Sequence, residues 1–248
     1  MSEGRGPHQV LVGVDGCRAG WITLALHPGE SRPKVHIFGS FADLIAGFGS
    51  TATVAVDMPM GLPDRVTGSG RGPEQTIRPY LGARQSSVFS IPARAAVEAE
   101  TYGEACDLSL QTSDPPRKVS RHAFHLFGKI REIDCLLQSD TGLRERLIES
   151  HPEFAFCRLN AMVPMATPKK IRGVVNPQGI AERIGLLASH GIAPDIFADG
   201  PPRGAAMDDL VDAGVNMVMA GRHVRGLTSP FPSRPARDRH GIMIAIHG

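Results

Sequence analysis

The sequence predicts an α/β protein whose sheet opens with a three-strand meander and then receives a parallel strand through a crossover helix. Three observations carry this expectation: short Val- and Ile-rich runs separated by turn residues, a well-capped stretch with helical spacing, and acids at the ends of the first and fourth runs. With 248 residues, 42% of them hydrophobic, the chain can bury a sizeable core, and a single domain over residues 1–248 is expected.

The elements follow in order. Residues 9–15, QVLVGVD, form an apolar run that ends in an acid and a glycine, as in a buried strand entering a tight turn. WITLAL (21–26) returns after CRAG, and KVHIF (34–38) follows a Pro- and Gly-rich bend, which completes the meander. Ser40 is a good N-cap for FADLIAGF, where Phe41, Leu44, Ile45 and Phe48 recur at helical spacing. TVAVD (53–57) is the fourth strand, and the prolines of MPMGLPD prevent its continuation.

Residues 58–120 read as an insertion, with a mobile Gly-, Pro- and Arg-rich loop over 64–79 and one helix over 92–107. A helix over 123–139 gathers Phe124, Phe127, Ile130, Ile133 and Leu137 on one side. LIESHPEFAF (147–156) reads as a fifth strand that breaks at Pro152 into a second extended piece. A second insertion, 157–205, holds a helix over 178–190 and a loop over 194–204. The last strong helix, 206–223, sets Leu210, Val211, Gly214, Met217, Val218 and Gly221 on one face, with Asp208, Asp209 and Asp212 largely opposite. GIMIAI near the C-terminus is a candidate edge strand.

Charged residues make up 21% of the chain and the net charge is +2, so the total demands no polyanionic partner, although a local basic face would suffice for nucleic acid. Cys17, Cys106, Cys135 and Cys157 form no C-x-x-C pair, which argues against a zinc site or a disulfide framework. No apolar stretch resembles a secretion signal or reaches membrane-spanning length. The expectation is a cytoplasmic protein with reduced thiols and no membrane partner.

Acids at the carboxyl ends of parallel strands can converge although they are remote in sequence. Asp15 and Asp57 occupy that position, and on a helix at least two of Asp208, Asp209 and Asp212 project the same way. Crowded carboxylates repel unless a cation neutralises them, and oxygen ligands favour Mg²⁺ or Mn²⁺. Taken singly, each acid is more often a turn, a cap or a solvated helix face; together they point to a site. Glu149 is a further candidate ligand and His151 a candidate proton carrier, with Glu153 weaker; a hydrogen-bonded structural role is the alternative for His151. Arg84, with Ser86 and Ser87, could grip a phosphate, or that stretch could simply pack Val88 and Phe89 on the core. Lys169 and Lys170 are candidates for phosphate contact or for solvent.

VGVDGCRAGW, AVDMPMGLP, LGARQSSVF, KIREID, ESHPEFAF with the following lysine pair, and DDLVDA resemble, in this order, the bacterial family called domain of unknown function 429, described as predicted RNase H-like nucleases. The resemblance spans nearly the whole chain. It implies the RNase H-like fold, with acids on the first and fourth strands and the last helix holding two metal ions for phosphodiester hydrolysis. Carried over, those acids are Asp15, Asp57, Asp209 and Asp212, with Asp208 as a spare. The expected function is a metal-dependent nuclease acting on nucleic acid. The alternatives are a non-catalytic binding or regulatory module on the same fold, and an actin-like or sugar-kinase-type ATP-binding protein suggested by GVDGCRAG.

Overall fold

Strand β1 (Leu11–Cys17) is the axis of the molecule, and the computed structural model describes residues 9–248 around it. It pairs antiparallel with β2 (Gly20–Leu26), which pairs antiparallel with β3 (Lys34–Phe38), so the meander is present. Helix α1 (Phe41–Phe48) begins where Ser40 Oγ accepts the Asp43 N–H, and it carries the chain over to β4 (Thr53–Val56), parallel to β1. Between β4 and the next sheet strand come β5 (Val66–Thr67), α2 (Gly72–Ile77), α3 (Arg94–Glu98), α4 (Tyr102–Thr112), β6 (Ser113–Asp114), α5 (Arg121–Ser139) and α6 (Leu143–Arg146). Strand β7 (Leu147–Glu149) then closes a mixed five-stranded sheet of order β3-β2-β1-β4-β7.

The remaining elements are α7 (Pro152–Leu159), the small ribbon β8 (Lys170–Ile171) and β9 (Val174–Val175), α8 (Pro177–Ser189), a short 3₁₀ turn at Pro194–Phe197, α9 (Met207–Val224), and the hairpin β10 (Pro230–Arg237) and β11 (Met243–His247). Alternation along the strands sends Val12, Val14, Val54 and Val56 towards α1 and α5, and Leu11, Ala55 and Ile148 towards α7, α8 and α9. The ribbon turns through Arg172 and Gly173, both at positive φ (52° and 80°), the geometry of a tight two-residue hairpin. Among the described residues, no helix is long and apolar enough to cross a membrane.

Several expectations are corrected. The stretch 64–79, expected to be a mobile loop, contains α2, and its Arg71 and Glu74 are buried. The single helix expected over 92–107 is two, α3 and α4, because the chain turns extended at Ala99 before Thr101 caps α4. The second extended piece of the fifth strand is α7: His151 caps it and Pro152 takes the first helical position, where a missing N–H costs nothing. The loop expected over 194–204 starts with a 3₁₀ turn. GIMIAI, expected as an edge strand, supplies most of β11, which pairs with β10 in a two-stranded sheet apart from the main one. Helix α9 is buried on most sides, including Asp208 and Asp212, which sets aside the alternative of a solvated acidic face.

A candidate carboxylate centre at the end of the parallel strands

Register places the first two acids together. Thr53 lies opposite Leu11 and Val56 opposite Val14, so Asp57 follows beside Asp15, and its N–H donates to the Val14 carbonyl at 3.1 Å. In a parallel pair, residues side by side point to the same face. That face is the one covered by α9. A Cβ on Gly13 would stand 2.0 Å from the Ala213 carbonyl oxygen and 2.0 Å from the Met217 nitrogen, so glycine is what allows the helix to lie directly on the strand. Asn216 fastens the crossing by donating from Nδ2 to the Val14 carbonyl at 2.8 Å.

The helix runs opposite to β1, since Leu11 packs beneath Gly221. Two residues along a strand cover about 6.6 Å, the rise of about four helical residues. Moving from Gly13 to Asp15 therefore shifts the facing part of α9 from Ala213 and Met217 to Asp209 and Asp212. Three remote segments thus bring Asp15, Asp57 and Asp212 to one place.

Their environment resists ionisation. Burial, then the neighbouring Asp57, Asp212 and Asp209, hold Asp15 well above the usual carboxylate range. Burial, then Asp212, push Asp57 up to about 8. Burial lifts Asp212 to about 6 against the pull of Lys169, which is within hydrogen-bond reach of Asp212 Oδ2 and 3.7 Å from Glu153 Oε1. For Lys169, burial works against the charge, but Asp212 and Glu153 outweigh it and hold the ammonium firmly protonated. One guanidinium nitrogen of the buried Arg183 also donates to both oxygens of Glu153, at 2.8 and 2.7 Å. Neither Asp15 nor Asp57 has a salt-bridge partner among the described residues. Asp212 Oδ1 is buried with no hydrogen-bond partner. Also among the described residues, no group of three or more His, Cys, Asp or Glu side chains is gathered closely enough to hold a metal ion; Lys169 stands among these acids instead.

The other expected site residues are distributed around this centre. Asp209 caps its own helix by accepting the Ala206 N–H at 2.8 Å, and Asp208 pairs with Lys170 at 2.5 Å. Glu149 pairs in register with Val56, on the opposite pleat from Asp57, where Arg71 (2.6 Å) and the Met60 N–H (2.7 Å) hold it; burial raises it to about 7 despite Arg71. His151 accepts the Phe154 N–H on Nδ1 at 3.3 Å, which leaves the proton on Nε2, facing the Ser87 carbonyl at 3.4 Å. Burial lowers its pKa to about 4, so it is neutral at physiological pH. A cavity of about 160 Å³ opens beside Asp15 and Asp57 and is also lined by Glu149, His151, Ser87 and Lys129. Arg84 and the exposed Ser86 are not part of that lining.

Sequence reasoning missed Arg71, Arg183 and Lys129, and underrated Lys169 and Glu153. Arg71 also binds Glu74 at 2.6 Å and ties the α2 segment to β7. Lys129 lays its stem against Gly16, points its ammonium at the Gly20 carbonyl and sits 4.3 Å from the centre of the Trp21 ring. Its place in KIREID, on a helix crossing the sheet end, was the one signal that could have found it.

Fold and site together define an α/β protein with a buried carboxylate centre at the carboxyl ends of parallel strands. The chain belongs to the family described as Protein of unknown function (DUF429), whose sequence profile matches residues 13–237. No curated protein and no solved structure matches the chain.

Proposed function

We propose that this protein is a divalent-cation-dependent phosphodiester hydrolase on an RNase H-like fold, with nucleic acid as its substrate. One observation carries the reading: Asp15, Asp57 and Asp212 converge from the first strand, the fourth strand and the last helix with a single lysine between them. That is the layout the family resemblance implies, in a sheet of the expected order. The donor chemistry suits a hard cation such as Mg²⁺ or Mn²⁺, since the candidate ligands are all carboxylate oxygens and one Asp212 oxygen is buried without a partner; the three acids stand too far apart to enclose an ion as they are, so binding would draw them together.

Asp15, Asp57 and Asp212 would hold the cation, with Asp209 at the margin. A divalent ion held there would supply the chemistry of lowering the pKa of a water and polarising a phosphoryl oxygen. Asp212 would offer the cation its partnerless Oδ1 while Lys169 stays on Oδ2, which would leave the ammonium beside the site and able to meet a phosphate oxygen. His151, neutral and fixed between two backbone groups, positions the cavity wall and supplies no proton at neutral pH.

The test is hydrolysis of labelled single-stranded, duplex, hybrid and branched nucleic acids in Mn²⁺ or Mg²⁺. Asp57→Asn is expected to lower the rate by more than about 100-fold, beyond the effect of losing an outer partner of a metal ligand. Cleavage that survives both Asp15→Asn and Asp57→Asn would sink the reading.

A further inference from the structure

The cavity beside the acids does not end at them. Its wall of Val88, Phe89 and Ile91 is shared with a second cavity of about 470 Å³, which is lined by Ser90, Ser109, Arg117, Lys118 and Ser120. Phe89 is the exposed divider between the two, at 38% of its free surface. It stacks on the exposed ring of His122, with centroids 6.0 Å apart and planes 13° from parallel. Phe89 is partly covered beside Val88 and Ile91, yet more than a third of this large apolar ring stays in the open beside a charged groove, where it offers a flat face to another ring.

Charge on the far side is one-sided. Arg117 and Lys118 are exposed and have no salt-bridge partner among the described residues. Arg78 stiffens the dividing segment by donating to the Val88 carbonyl at 3.1 Å and to Ser90 Oγ at 2.9 Å, and it adds a third positive charge. A ligand that reached from the acids into the second cavity would cross an aromatic face between a negative centre and a basic pocket. Alternating flat rings and anionic groups are the chemistry of an unpaired nucleic acid strand; a duplex keeps its bases stacked inside, out of reach of Phe89.

We propose that Phe89, backed by His122, is a base-stacking platform that selects single-stranded nucleic acid and leads its backbone from Arg117 and Lys118 to the carboxylate centre. This deepens the hydrolase reading and rests on it for what happens at the acids, while the binding itself does not.

The experiment is fluorescence anisotropy with labelled single-stranded DNA, single-stranded RNA and the matching duplex, in chelator so that no hydrolysis occurs. Single strands of one or both chemistries are expected to bind more tightly than duplex. Phe89→Ala should weaken single-strand binding by at least about fivefold, the lower end of what one stacked base contributes. Phe89→Trp should restore it, and Phe89→Leu should behave like the alanine variant, which separates stacking from mere packing. Arg117→Ala and Lys118→Ala should each flatten the dependence of log K on log salt by about 0.7. Duplex binding as tight as single-strand binding, a wild-type affinity for Phe89→Leu, or no binding of any nucleic acid would overturn the proposal. Failure of hydrolysis with Phe89-dependent binding intact would count against the hydrolase reading alone; hydrolysis with binding indifferent to Phe89 would count against the platform alone.

Discussion

Asp57 combines a place at the end of a parallel strand with a carboxyl pushed up to about 8 by burial and by Asp212. In an unfolded chain the same group titrates near 3.9, so between about 4 and 8 the folded protein holds a proton that the unfolded chain has lost. The stability this contributes is complete below about pH 4 and is lost as pH rises through 8. Asp57→Asn removes that dependence. In chelator, the melting temperature of the variant should therefore gain on the wild type as pH rises from 5 to 8, by at least about 2–4 °C, equivalent to about 1 kcal/mol in a chain of this size. Parallel profiles would show that Asp57 ionises freely. Asp15 and Asp57 were legible in the sequence because an acid at the end of an apolar run has few places to go. Lys169 was not, because a lysine in a loop carries no local sign of the acids it will meet. Arg71 and Arg183 were hidden for the same reason: the acids that draw them to the sheet, Glu149 and Glu153, are 78 and 30 residues away.

Among the elements, α9 and β1 set the geometry of the centre, and Gly13 sets their distance. Gly13→Ala would drive a methyl group into the helix backbone, which has no flexible side chain to yield. The helix must lift, carrying Asp212 away from Asp15. A loss of about 1–3 kcal/mol or more in urea unfolding is expected, together with loss of any cation binding; a variant as stable as wild type would mean that α9 slides without cost. The periodic elements were readable: the meander, α1, α5 and α9 follow from alternation, capping and helical spacing. His151, Pro152 and Glu153 were misread as extended, although an N-cap, a proline at the first helical position and an acid in the first turn are a helix start. The preceding β-prone residues masked it.

At the scale of the molecule, the long insertion and the C-terminal hairpin are locked to each other through charge. Arg94, fully buried, donates to Asp134 on α5 at 3.0 Å and to Asp238 between β10 and β11 at 2.7 Å, while Asp238 also accepts the Leu62 N–H at 3.1 Å. Segments 62, 94, 134 and 238 meet at this one guanidinium. Arg94→Met strands two carboxylates and should cost about 3–5 kcal/mol, read by calorimetric or denaturant unfolding. A loss under about 1 kcal/mol would mean that apolar packing alone holds the hairpin. None of this was legible beforehand, since composition marks the insertion as loop-like and gives no pairing between distant charges.

The counter-charge of Asp212 arrives on a segment that runs straight into an exposed ribbon. Lys169 precedes the two-rung ribbon whose Ile171 and Val174 stand largely in solvent, and Arg172 sits at its tip. A protease cutting after Arg172 would disturb nothing in the sheet, and the lysine would stay moored, because the Lys169 carbonyl accepts the Asn176 N–H at 2.7 Å and the Pro168 carbonyl accepts Asn176 Nδ2 at 2.9 Å. The charge set against Asp212 is thus sheltered at its tip, while the turn just beyond it stands in the open, where a passing molecule would meet Arg172 first.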